Sequence, residues 1–120
     1  RALESEVKGM RQRHLREFED LKAAQRARNK DFELREREKR SEFFKTVKEP
    51  SKRREFVSDF ISRRKALKKL FAEELKSRKA ENKAAQSSLA DNQKKRLEDF
   101  DSAIAQGERP DDSLWPQPGN

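Results

Sequence analysis

Met10, Leu21, Phe32 and Phe43 recur at intervals of eleven residues, and Val7 and Phe18 keep the same interval beside them. Eleven residues close three turns at about 3.67 residues per turn, so such a stripe runs nearly parallel to the axis of a straight helix. A strict heptad would wind left-handed instead. Residues 2–48 contain no Pro and a single Gly, Gly9. A first helix is expected over about 2–48, its stripe broadened by Leu3, Leu15, Leu34, Phe44 and Val47. Between Phe32 and Phe43 the apolar pattern gives way to LREREKRSE. This stretch is expected as solvated helix held by pairs such as Glu36–Arg40, each worth roughly 0.2–0.5 kcal/mol.

Pro50, the only proline before residue 110, interrupts the pattern within FFKTVKEPSKRREFVSDF. It cannot donate to the preceding turn and pushes the residue before it out of the α region. A turn is expected at 49–51, with Ser51 as the natural N-cap of a second helix. Arg54 stands where a capping box would place Glu, so the reciprocal bond is missing. The second helix is expected over about 52–105. Phe56–Leu67, Phe60–Phe71 and Leu89–Phe100 repeat the interval of eleven, and Val57, Ile61, Leu70 and Leu75 widen the face. Opposite it lie Arg53, Arg63, Arg64, Lys65, Lys68, Lys69 and Lys76. The small polar run AAQSSLADNQ, with Ser88 three residues before Asp91, marks a soft point near 87–91. Gly107 is placed to end the helix as its C′ residue.

The pattern therefore predicts an all-α fold, a long antiparallel helical hairpin or coiled-coil-like bundle over 1–107. An acidic, Pro-rich flexible tail, 108–120, comes after it. Similar arm lengths favour a reversal at Pro50 over a kinked rod. They also suit association of two or four chains, because a two-helix contact leaves a stripe as wide as Phe56/Val57/Phe60/Ile61 partly open. The candidate packing and partner interface is Met10, Phe18, Leu21, Phe32, Phe43, Phe56, Phe60, Leu67, Phe71, Leu89 and Phe100.

Composition narrows the class. Charged residues make up 45% of the chain and apolar ones 31%, too little for a multilayered core but enough for a narrow helical stripe. The net charge of +8 is uneven: residues 1–86 carry 27 Lys/Arg against 16 Asp/Glu, and residues 87–120 carry 4 against 7. A basic body suits an anionic partner without choosing one. The absence of Cys excludes disulfides and thiolate metal sites and fits a reducing, cytoplasmic compartment. In a eukaryotic setting the basic runs would also suit nuclear import. No apolar run approaches the ~18 residues of a membrane span. Beginning at Arg1 rather than Met, the chain reads as part of a longer protein.

The inventory opposes an enzyme. With no Cys and a single His, the usual nucleophile–base pairs are missing, and no phosphate-binding glycine loop, HExxH or EF-hand motif occurs. Pairs such as Glu17 with Asp20 or Glu73 with Glu74 sit in mixed-charge helix, without an apolar pocket to separate their pKa values. His14 lies at the edge of the first stripe, a seam-boundary residue rather than a ligand. No cofactor, metal or small-molecule substrate is expected. The strongest charged feature is SRRKALKK, where Arg63, Arg64, Lys65, Lys68 and Lys69 are candidates for polyanion contact, set against the plainer reading of a solvated face. The nearby aromatics Phe56, Phe60 and Phe71 belong to the stripe and not to a base-stacking platform. A membrane surface is disfavoured, since the stripe has no Trp. The tail segment around Trp115 has the make-up of a docked linear peptide, weighed against a plain irregular end.

RQRHLREFEDLKAAQRARNKDFELREREKR, residues 11–40, resembles the Arg/Glu/Ala-rich coiled-coil regions near the C-terminal ends of bacterial conjugative relaxases and mobilisation proteins. The likeness covers about a quarter of the chain. No Tyr and no three-His cluster is present, so it implies an accessory or recruitment region and not a nicking domain. The expected function is a non-catalytic helical module for protein–protein interaction or oligomerisation that docks a larger parent protein. The alternative is a basic helical module that binds nucleic acid non-specifically, accessory to DNA transfer.

Overall fold

A computed structural model describes residues 2–107; the tail 108–120, with Trp115, lies outside the described residues. The described chain is two helices, α1 (Ala2–Thr46) and α2 (Pro50–Ala105). Both are carried by long Pro-free interiors and by surface ion pairs one turn apart. Examples are Glu19–Lys22 at 3.6 Å, Glu42–Lys45 at 3.3 Å, Arg78–Glu81 at 3.6 Å, and Asp31 with Arg35. Each contributes only a few tenths of a kcal/mol at most, about 0.2–0.5, so most of the helical stability must come from packing.

The packing forms two compact units. One is Glu19–Ser77, holding the end of α1, the turn and the start of α2. Within it Glu36 meets Arg63 while Gln25, earlier in the chain, meets Glu74. The two helices therefore run antiparallel, and the chain reverses at the turn. The other unit joins α1 up to Phe18 to α2 from Arg78 onward. There Gln86 meets His14 and Arg96 meets Glu6, again antiparallel.

The turn occupies 47–49, two residues earlier than the sequence suggests. The Arg53 N–H donates to the Glu49 carbonyl at 3.1 Å, so Glu49 caps α2 and Pro50 is its first helical residue. Proline at that position gives up no bond, because the N–H there has no intrahelical acceptor, and its fixed φ already suits a helix. Ser51 accordingly lies inside the first turn instead of capping it. The open carbonyls at the end of α1 find donors locally: Val47 N–H to Phe43 at 2.8 Å and the Lys48 ammonium to Phe44 at 3.2 Å. Arg53 then clasps the end of α1 from α2, its Nε donating to the Val47 carbonyl at 2.8 Å and its Nη2 to that of Phe44 at 2.9 Å.

α2 continues unbroken through 87–91. That run, with neither Gly nor Pro, is helical throughout, and Leu89 keeps its half-buried place in the seam. The helix ends as its sequence implies. Gly107 has φ +76° and its N–H donates to the Ile104 carbonyl at 3.0 Å, the left-handed C′ conformation that glycine adopts without a Cβ clash.

Candidate helical interface

On α1 the covered positions include Val7, Met10, His14, Phe18, Leu21 and Gln25, in steps of three, four, four, three and four. Those steps add up to the eleven-residue cycle of the sequence. Each of the eleven candidate packing residues (Met10, Phe18, Leu21, Phe32, Phe43, Phe56, Phe60, Leu67, Phe71, Leu89 and Phe100) is half-buried. In the Glu19–Ser77 unit the rings meet directly. Phe43 stacks on Phe56 with centroids 4.7 Å apart and planes at 20°, and Phe32 lies parallel to Phe60 at 6.1 Å. Phe44 meets Phe56 edge-on at 6.2 Å. No apolar side chain among the described residues is fully buried, and Leu15 is 64% exposed.

The best-buried side chains are polar: Gln25 at 7% and Glu36 at 5% exposure. The sequence places Glu36 on a solvated surface with Arg40, but in the structure it faces α2. Its carboxylate accepts two bonds from Arg63, Nε at 2.9 Å and Nη2 at 2.7 Å, the paired geometry in which guanidinium–carboxylate contacts are strongest. The Arg63 hydrogen bonds hold the Glu36 carboxyl below the usual carboxylate range against the opposing effect of burial; the Arg63 and Lys39 charges add to this. The same bonds raise Arg63. Gln25 donates from Nε2 to the Phe71 carbonyl at 2.9 Å and to Glu74 at 3.1 Å. Glu74 also accepts from Arg28 at 2.9 and 3.0 Å, and these bonds, Arg28 first, lower its pKa.

The unit formed by α1 up to Phe18 and α2 from Arg78 onward repeats the scheme. Arg96 Nη2 donates to Glu6 at 2.6 Å, Gln93 donates to the Leu3 carbonyl at 3.0 Å, and Gln86 Nε2 lies 3.3 Å from His14 Nδ1. His14 is thus half-buried in the seam, in contact with an amide. These polar residues carried a signal in the sequence. Leu3, His14, Gln25, Glu36 and Val47 are spaced by eleven, as are Arg63, Glu74, Ala85 and Arg96. The interval that marks the apolar stripe marks a polar row beside it.

The five candidate polyanion contacts divide. Arg63 is held by Glu36, and Arg64 Nε sits 3.0 Å from Glu33 Oε1. That second contact is an ion pair without hydrogen-bond alignment, since this buried oxygen has no hydrogen-bond donor. Arg53, also expected opposite the stripe, is half-buried over the end of α1, 4.8 Å from the Phe44 ring centre. Lys65, Lys68 and Lys69 are exposed and make no ion pair with described residues. Near the turn, Arg40, Phe44, Arg54, Val57, Ile61 and Lys65 line a shallow groove of about 510 Å³. Among the described residues no group of three or more His, Cys, Asp or Glu could hold a metal ion, and no helix is long and apolar enough to cross a membrane. In comparisons with known proteins, no family model, curated protein or solved structure matches the chain.

Proposed function

We propose that this chain is a non-catalytic helical interaction module that associates through its apolar stripes and docks a larger parent protein. One observation carries the reading: all eleven stripe residues stay half-buried in a two-helix layer. Packed helices close a core only when each stripe is covered across its width. A further helical layer, from a partner or another copy, would supply that cover. The residue inventory supports the non-catalytic part, with one His and no Cys in 120 residues. The test is circular dichroism and light scattering on the wild type and on Phe60→Ser with Phe71→Ser. The double variant is expected to lose helicity or associated mass. Persistence of both unchanged overturns the reading.

A second reading has its own observation. Arg54, Lys65, Lys68, Lys69 and Lys76 follow one another along one face of α2, and none makes an ion pair with described residues. Such a ridge suits phosphate contact without base readout, consistent with an accessory role in DNA transfer. Binding to duplex DNA that weakens steeply with salt, and drops when Lys65, Lys68 and Lys69 become Gln, would support it. Absent or salt-insensitive binding would eliminate it.

A further inference from the structure

Two surfaces at different places on the chain have complementary chemistry. The first is the groove beside the turn. Its floor is Phe44, Val57 and Ile61, its rim is Arg40, Arg54 and Lys65, and no carboxylate lines it. Ile61 is 46% exposed. The floor is unsuited to nucleic acid, which has no aliphatic side chains to fill it. Nor does Phe44 offer a free face for base stacking, since Arg40 lies 5.2 Å and Arg53 4.8 Å from its ring centre. An apolar floor with a cationic rim fits a helix that carries apolar anchors flanked by carboxylates.

The second surface is such a helix. Over its last turns, after KKR at 94–96, α2 reads LEDFDSAIA: Asp101 lies on the face of Leu97 and Ile104, Glu98 at its edge and Asp99 on the far side, with Lys94 one turn before Leu97. Phe100 faces the seam, but Leu97 and Ile104 are 39% and 53% exposed. Seven residues apart, they share one helix face with Asp101 between them. They span about 10 Å along the axis, within the roughly 16 Å between Arg54 and Lys65.

We propose that the chain associates head to tail: the acidic end of α2 in one copy, through Leu97, Asp101 and Ile104, seats in the basic groove beside the turn of the next. The inference rests on the self-association proposed for the stripes and gives it a polarity. The contact joins unlike patches, so each added copy presents a fresh groove and a fresh acidic end, and growth stays open unless the rotation closes a ring. Carboxylates against cations make it weaken with salt, whereas pairing through the apolar stripes would not.

The experiment is sedimentation velocity on the full chain over a concentration series at low and high salt. Two variants are compared, each altered only at exposed positions: a groove variant (Ile61→Ser with Lys65→Glu) and an end variant (Leu97→Ser with Ile104→Ser). The wild type should show mass rising with concentration at low salt and falling back at high salt. Each variant alone should lose at least about tenfold in association constant, as removal of central contacts does. Mixed in equal amounts, the variants should form a species of twice the mass either shows alone, with no further growth by this contact, because only one intact groove and one intact end remain to pair. Association of both variants like the wild type overturns the head-to-tail contact and leaves stripe pairing standing. A wild type that stays monomeric at every concentration and salt overturns the contact and self-association together.

Discussion

Glu36→Gln isolates the best-buried charge in the described structure. The substitution keeps size and one acceptor oxygen but removes the charge that receives two Arg63 bonds at 2.9 and 2.7 Å. Breaking a fully buried ion pair from one side costs about 3–5 kcal/mol. Here the Arg63 side chain is 41% exposed, so water can take up the released guanidinium, and the expected loss at neutral pH is about 1–2 kcal/mol. With a urea slope of about 2 kcal/mol/M, mid-range for a small protein, the midpoint should fall by about 0.5–1 M. The acid limb carries a second signature. The Glu36 pKa in the folded state lies below its ordinary value of 4.5. Its stabilisation is therefore complete above the ordinary carboxylate range and disappears as pH falls through the folded-state value. Wild type and Glu36→Gln should differ most near neutrality and converge in acid, as followed by helical ellipticity in urea at a series of pH values. Equal midpoints at neutral pH, or equal losses on acidification, would refute the view that this carboxylate holds α1 to α2.

Phe43→Ala removes the ring stacked on Phe56; as the site is half-buried, a loss of about 2 kcal/mol is expected, less than the ~3–5 of a closed core, read from thermal unfolding. Arg53→Met keeps the aliphatic stem but strips the end of α1 of two carbonyl partners, which should cost about 1–2 kcal/mol and speed amide exchange around the turn. Pro50→Ala should destabilise by only about 0.4–1 kcal/mol, through the freer unfolded chain, without breaking a helix bond; a gain in stability would contradict its place as first helical residue. Gly107→Ala, at φ +76°, should cost about 1–2 kcal/mol locally and show as faster exchange of the amides at 102–107.

The two helices, the break at Pro50 and the apolar stripes were legible in the sequence because period, proline placement and propensity agree, whereas reversal over a kinked rod rested on the match of arm lengths alone. Phe43 and Phe56, or Phe32 and Phe60, needed only the eleven-residue interval and a turn between them. Gln25 and Glu36 sit in the eleven-residue row, but most of their neighbours in QRARNKDFELREREKR are polar, so without that row a seam residue and a solvated one look alike. Periodicity scored on hydrophobicity is blind to a buried carboxylate with a partner on the other helix. The same gap affected the basic cluster: a run of Arg and Lys does not reveal which member faces an acid 27 residues away, as Arg63 faces Glu36. Pro50 was legible as a boundary, but its side of that boundary depended on which carbonyl accepts the first bond.

The eleven-residue interval that marks the seam also makes it ambiguous. Rows of Phe and Leu that repeat identically look much the same after one helix slides along the other by a whole repeat. Within one chain the short turn at 47–49 already ties the alignment; between helices of different chains, apolar contacts alone would permit several near-equivalent alignments. The polar row removes that translational symmetry. A slip of one repeat that carried Arg63 away would bring Glu74 opposite Glu36, setting one carboxylate against another in place of a doubly bonded ion pair. The opposite slip would set Arg63 against Gln25, an amide with no charge to offer it. Charge alternation along the seam thus acts as a vernier: the hydrophobic rows supply adhesion, and Glu36 and Glu74 fix where along the helices that adhesion is allowed to occur.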